Sequence, residues 1–222
     1  IEILLVGDSL GMVVLGYEDT LQVSVDDLAH HTAAVARARP RPLIVGDLPW
    51  MSYHVSPEES VRNAAQLVRA GAGSVKLEGG RKRLPMIEAI LDAEIPLMGH
   101  LGLTPQSATM LGGFRAQGRT AEKARRLLDE AIALEEAGCF ALVLEAVPAP
   151  VAARISETLV IPTIGIGSGE HCDGQILVTH DLIGLFPWFT PKFVSPEARV
   201  AEEIRRAARA FIERTKSSSE MS

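Results

Sequence analysis

Only two cysteines, Cys139 and Cys172, occur in the 222 residues, and they form neither a CxxC pair nor any metal-like spacing. That scarcity excludes a disulfide-stapled scaffold and suggests two small buried or half-buried thiols in a reducing compartment. HxH and HExxH are missing too, so zinc has no support from the sequence. No apolar run approaches the roughly 18–20 residues that span a bilayer. No signal-peptide pattern opens the sequence, and we expect a cytoplasmic protein with no membrane partner. Positive charge is also short: 22 Lys and Arg face 28 Asp and Glu, a formal net charge of −6, with a pI near 5.6. Nucleic-acid binding normally needs clustered Lys and Arg. The one basic run, Arg81-Lys82-Arg83, is short and reads as a solvated loop or helix start, so no nucleic-acid partner is expected. Disorder is excluded because 47% of residues are hydrophobic and 23% charged.

What the chain does have is a repeated alternation of apolar runs, polar or glycine-rich stops and helical stretches. At roughly 100–200 residues per domain, the length allows one large domain or two small ones. Runs that read as buried parallel strands are Ile3–Val6, Leu43–Val45, Val75–Leu77, Pro96–Gly99, Ala141–Leu144, Pro162–Ile166 and Ile176–Val178. Helix starts are marked at Ser24, with Asp27 three residues on, and at Ser56, with Pro57 and Glu59 behind it. The Ser56 helix carries Val61, Ala64, Ala65 and Val68 at helical spacing and stops at Gly71. A further helix spans Thr120 to Ala137, and a charged amphipathic one spans Pro196 to Lys216.

Seven strand–helix units with no dividing linker imply an α/β fold with a parallel sheet. A closed (β/α)8 TIM barrel takes about 250 residues. The sequence opens without Met, directly inside the apolar run Ile1–Gly7, so the first βα unit of such a barrel is expected to be missing from this chain. We expect residues 1–216 to form one N-terminally incomplete barrel domain and 217–222 a disordered tail.

Polar residues close the strands with regularity: Asp8, Asp47, Glu78, His100 and Glu145 follow the first five runs. The sixth ends in Gly165-Ile166-Gly167-Ser168-Gly169 and the seventh in His180-Asp181. In parallel α/β architectures ligands bind beyond the carboxyl ends of the strands, so these side chains should share one face. Asp8, Asp47 and Glu78 are hard oxygen donors, which suit Mg²⁺ with positions left open for substrate. Lys76 lies two residues before Glu78 and points to the same side of a strand, where it could hold an anionic group such as a carboxylate. Glu145 closes the apolar run Phe140–Leu144. It is a candidate general base or, on the plainer reading, a cap for the next helix. The Gly165–Gly169 stretch is either a backbone approach to a ligand or a tight turn; it is not a dinucleotide fingerprint. Two long segments, residues 7–23 and 101–119, read as lids or binding loops.

Several of these stretches carry a family resemblance. Gly7-Asp8-Ser9-Leu10-Gly11-Met12, Asp47-Leu48-Pro49, Val75-Lys76-Leu77-Glu78-Gly79-Gly80 and Gly99-His100-Leu101-Gly102-Leu103-Thr104-Pro105-Gln106 look like ketopantoate hydroxymethyltransferase. So do Gln117-Gly118-Arg119, Leu144-Glu145, Gly165-Ile166-Gly167 and Asp173-Gly174-Gln175-Ile176-Leu177-Val178. The similarity runs from Ile1 to about Phe193. It implies a phosphoenolpyruvate-mutase-like (β/α)8 barrel, assembled as a homodecamer in the cytoplasm and serving pantothenate biosynthesis. The implied reaction moves a one-carbon unit from 5,10-methylenetetrahydrofolate to 3-methyl-2-oxobutanoate, giving 2-dehydropantoate and tetrahydrofolate through a Mg²⁺-stabilised enolate.

By the same resemblance Asp8 and Asp47 would hold Mg²⁺, with Glu78 close by or bonded through water. Ser9, Lys76 and His100, with the two aspartates, would contact the keto acid. Glu145 would accept the proton. Two alternatives remain at this point: a related Mg²⁺-dependent C–C lyase or mutase for another 2-oxoacid, and a non-catalytic paralogue.

Overall fold

The computed structural model describes residues 1–107, 118 and 120–219. It separates into two compact units, Ile1–Ile176 and Leu177–Ser222. The first holds seven strands: β1 (Ile3–Val6), β2 (Leu43–Asp47), β3 (Ser74–Lys76), β4 (Leu97–Gly102), β5 (Ala141–Glu145), β6 (Thr163–Ile166) and β7 (Gly174–Gln175). All pairs are parallel and neighbours follow chain order, β1 to β7. Helices α1 (Leu10–Val13), α2 (Val25–Arg37), α3 (Pro57–Arg69), α4 (Leu84–Asp92), α5 (Ala121–Glu136) and α6 (Ala149–Thr158) fall between them. This is the expected α/β strand–helix array, seven parallel strands curled into a half-barrel.

The helix boundaries follow local chemistry. Ser24 and Asp27 form a reciprocal capping box at the start of α2. Ser56 Oγ accepts from the Glu59 N–H, and Pro57 opens α3. Gly71, at φ +113°, ends that helix in a conformation that favours glycine. The buried face of α3 is Ser60, Ala64 and Leu67. The spacing Val61/Ala64/Ala65/Val68 therefore misplaces the face by part of a turn, since Val68 is exposed.

Side chains alternate across each strand, and the two faces build different cores. Ile44, Val75, Leu97, Leu142 and Leu144 pack with Leu28, Leu67, Ile90, Leu134 and Ile155 from the helices. Val45, Met98, Ala141 and Val143 pack on the other face with Ile3, Leu5, Phe140, Ile164 and Ile166. All of that second cluster comes from the strands and residues beside them, so the described helices of the first unit pack on the opposite face of the sheet.

Two expected elements move. The last strand is Gly174–Gln175, paired with Ile164 and Gly165, and its ladder ends where the expected Ile176–Val178 run begins, with the Ile176 N–H donating to Gly165 O. The apolar run Ile176-Leu177-Val178 instead leads into the short helix α7 (Thr179–Leu182), so His180 and Asp181 are helical and end no strand. In the second unit, α8 runs over Val200–Ser219, starting four residues after Pro196 and continuing past Lys216. Residues 217–219, expected as tail, are thus its last turn; 220–222 lie outside the described residues. The Glu197 N–H donates to Leu182 O and the Val200 N–H to Ile183 O, tying the start of α8 to the end of α7. No described helix is long and apolar enough to cross a membrane.

Candidate active site

Period-two alternation carries the second core straight into a polar cluster. Asp47 stands two residues after Val45, His100 two after Met98 and Glu145 two after Val143, all on the side away from the helices. Lys76 follows Ser74 in the same way. The ladder continues past β3, because the Leu77 N–H donates to Met98 O and the Gly79 N–H to His100 O. Glu78 is thereby held in line with Lys76. Asp8 enters from the turn that joins β1 to α1.

These groups meet. Lys76 Nζ lies 2.8 Å from Asp47 Oδ1 and 3.8 Å from Glu78 Oε1. His100 Nδ1 is 3.3 Å from Lys76 Nζ and 3.4 Å from Glu78 Oε1. Its Nε2 is 3.3 Å from Glu145 Oε2, a charge contact without hydrogen-bond alignment. The Asp8 N–H donates to Asp47 Oδ2 at 3.2 Å. Asp8, Asp47, Lys76, Glu78 and His100 are all buried, whereas the Glu145 side chain keeps 19% exposure. Ser9 is half-buried and its hydroxyl makes no capping bond to α1. Every site residue expected from the sequence therefore stands at the carboxyl ends of β1 to β5. His180 and Asp181 belong to the second unit.

Burial and crowding set the charges. Burial raises the Asp8 carboxyl well above its usual range, and Asp47 and Glu78 push it further. Burial, aided by Glu78, also raises Asp47 against the pull of Lys76. Glu78 goes the other way: burial would raise it, but His100 and Lys76 bring it below its usual value. Burial works against the Lys76 ammonium, yet Asp47, Glu78 and Asp8 more than offset it, so Lys76 stays charged. Burial and Lys76 likewise oppose charge on His100, while Glu78 and Glu145 carry it up to about 9. The His100 ring lies between Glu78 and Glu145, both of which favour its protonated form.

Asp8, Asp47 and Glu78 crowd together beside Lys76 and His100, and the mutual repulsion that lifts Asp8 is the kind a further cation relieves. Among the described residues no group of three or more His, Cys, Asp or Glu side chains is arranged to hold a metal ion by itself. Mg²⁺ does not need one, since it takes one or two carboxylates and fills its shell with water and substrate oxygens. The buried Asp47 Oδ1 has no hydrogen bond beyond its Lys76 ion pair. The donor set thus fits a hard divalent ion.

Three supporting residues were not singled out for a role by sequence reasoning. Ser168, in the glycine-rich stretch after β6, donates from Oγ to Leu144 O at 2.8 Å and accepts from the Val147 N–H at 3.0 Å. It brackets Glu145, and Ala146 between them is held at φ +49°. The stretch therefore works as a turn that steadies the end of β5. Opposite, Gly102 at φ +99° lies against the Glu145 carbonyl, where a Cβ would collide. Tyr53 and Gln106 join Asp8 and Glu78 through hydrogen bonds. Gln106 did stand in a family-like motif; Tyr53 carried no local signal. The lid expected at 101–119 lies largely outside the described residues.

The family model for ketopantoate hydroxymethyltransferase matches residues 1–219. The chain is 56% identical over 211 residues to 3-methyl-2-oxobutanoate hydroxymethyltransferase of Oleidesulfovibrio alaskensis, covering 95% of this chain and 73% of that protein. It is 55% identical over 217 residues to the enzyme of the same name from Ignicoccus hospitalis, covering 98% and 82%. Among solved structures, phosphoenolpyruvate phosphomutase from Streptomyces platensis subsp. rosaceus superposes with a TM-score of 0.64 at 14% identity, covering 98% of this chain and 77% of that one. A 2,3-dimethylmalate lyase of the PEP mutase/isocitrate lyase superfamily gives 0.56 at 13% identity, covering 81% and 62%. At such identities the structures speak to the fold alone.

Proposed function

The chain belongs to the ketopantoate hydroxymethyltransferase family, and on that premise we propose that it hydroxymethylates 3-methyl-2-oxobutanoate with 5,10-methylenetetrahydrofolate, as a step of pantothenate biosynthesis. One observation supports the chemistry most: three buried carboxylates gather near Lys76, while a fourth, Glu145, stands across His100 and is only partly buried. The first group suits binding of a metal and a keto acid. The second suits proton transfer.

Asp8 and Asp47 would hold Mg²⁺, with Glu78 beside them. Bound there, the ion supplies Lewis acidity where negative charge develops on the keto oxygen. Lys76 places a fixed positive charge for the substrate carboxylate, and the uncapped Ser9 hydroxyl is free to donate to it. Glu145 removes the C3 proton. His100, pinned between Glu78 and Glu145, orients that carboxylate. The C3 carbon then bonds to the folate methylene. Water supplies the hydroxyl with one of its hydrogens; its other hydrogen and the C3 proton held by Glu145 replace the two broken bonds from the methylene to the folate nitrogens, and tetrahydrofolate leaves.

The direct test is product analysis. Incubation with 3-methyl-2-oxobutanoate, 5,10-methylenetetrahydrofolate and Mg²⁺ should yield 2-dehydropantoate and tetrahydrofolate in equal amounts by mass spectrometry. Cleavage of a C–C bond in another 2-oxoacid, with no 2-dehydropantoate formed, would assign the site to a lyase instead.

A further inference from the structure

The proposed chemistry leaves unused a buried hub around Gln106, just beyond β4. Its side-chain nitrogen donates to Asp8 Oδ2 and to Leu48 O, both at 2.9 Å. Its Oε1 accepts from the Tyr53 hydroxyl at 2.5 Å. The Leu48 carbonyl can only accept, so the orientation of the amide is unambiguous and each of its polar atoms is occupied. The Gln106 backbone N–H donates to Glu78 Oε2 at 3.1 Å. The Tyr53 hydroxyl in turn accepts from the Glu78 N–H at 3.2 Å. One residue thus ties together the ends of β1, β2 and β3.

We propose that Gln106 is a positioning residue, which holds the Asp8 carboxylate beside Asp47 so that both are in place before a divalent cation binds. Asp8 and Asp47 repel one another, and the described structure gives the Asp8 side chain no other hydrogen-bond donor than Gln106. A neutral donor on one oxygen fixes the carboxylate without neutralising it. A cation such as Lys or Arg in the same place would compete with the metal. Tyr53 completes the device by fixing the amide that fixes Asp8. Outer partners of this kind orient a ligand and lower the ordering cost of metal binding. The inference rests on the assignment of Asp8 as a Mg²⁺ ligand.

Two variants test it. Gln106→Met keeps the length and removes both donors; Tyr53→Phe removes only the anchor on Oε1. Isothermal titration of the metal-free chain with MgCl2 should show Kd weakened about 10- to 100-fold for Gln106→Met, and by a smaller factor for Tyr53→Phe. Raising Mg²⁺ to saturation should return kcat of Gln106→Met to within roughly threefold of the unmodified chain, a rescue that general damage to packing would not give. Three results would overturn the proposal: unchanged Mg²⁺ affinity in both variants, a loss of kcat that saturating Mg²⁺ leaves in place, or loss of cooperative melting in both. If the unmodified chain itself takes up no Mg²⁺, the assignment of Asp8 fails first and the inference with it.

Discussion

Glu145→Gln is expected to lower kcat about 10³-fold, while Mg²⁺ and keto-acid affinities stay within about tenfold. A thousandfold loss is about 4 kcal/mol of barrier, within the range a single general base supplies. Glutamine keeps the shape of the side chain and its place beside His100, and loses the negative charge and with it the capacity to take a proton. The site's geometry explains why binding should survive. Glu145 reaches the polar cluster only through His100 Nε2 at 3.3 Å, and no hydrogen bond joins it to Asp8, Asp47 or Lys76. Single-turnover kinetics alongside calorimetric titrations separate the two quantities. Loss of keto-acid affinity with kcat preserved would move Glu145 from proton transfer to substrate binding.

Asp47→Ala should act the other way round. Its carboxylate is the nearest partner of Lys76 and touches the Asp8 backbone. Removal should weaken Mg²⁺ binding by more than about 100-fold, because a hard ion has few other donors here. It should also lower stability. Breaking a buried ion pair by deleting one partner costs on the order of 3–5 kcal/mol. Glu78, at 3.8 Å from the ammonium, offsets part of that. Asp47→Asn separates the two effects, since the amide restores the volume and a hydrogen-bond acceptor but not the charge. Its melting temperature should lie nearer that of the unmodified chain, with Mg²⁺ affinity still collapsed. A Mg²⁺ titration of Asp47→Ala that matches the unmodified chain would contradict the role given to Asp47.

Much of this site was readable from residue order, for a simple physical reason. Parallel strands present alternate residues to one face, and their carboxyl ends lie together. A polar residue just after each apolar run thus predicts a spatial cluster without knowledge of any contact. Asp8, Asp47, Glu78, His100 and Glu145 were found that way. Gln106 and Tyr53 could not gain a role by that rule. Their bonds span 98 residues, from Gln106 to Asp8, and 53 residues, from Tyr53 to Gln106. Nothing in local spacing foretells such a pairing.

The errors in the fold also have physical causes. Ile176-Leu177-Val178 has the stronger intrinsic strand preference, yet the ladder forms at Gly174–Gln175, where backbone groups meet Ile164 and Gly165. Pairing partners decide a short edge strand more than propensity does. The face of α3 lies off the alanine and valine spacing because Leu67 and the small Ser60, which that spacing omits, are buried. The α8 boundaries slipped at both ends, as boundaries commonly do where no strong capping residue marks them.

The role proposed for Glu145, removal of the C3 proton of the keto acid in a metal-dependent site, is tested most directly by deuterium exchange. With Mg²⁺, tetrahydrofolate and 3-methyl-2-oxobutanoate in D2O, the unmodified chain should wash deuterium into C3, as followed by NMR. The signal should vanish with chelator or in Glu145→Gln. Exchange that persists at the same rate in Glu145→Gln, or none by the unmodified chain in the presence of Mg²⁺, would contradict the account.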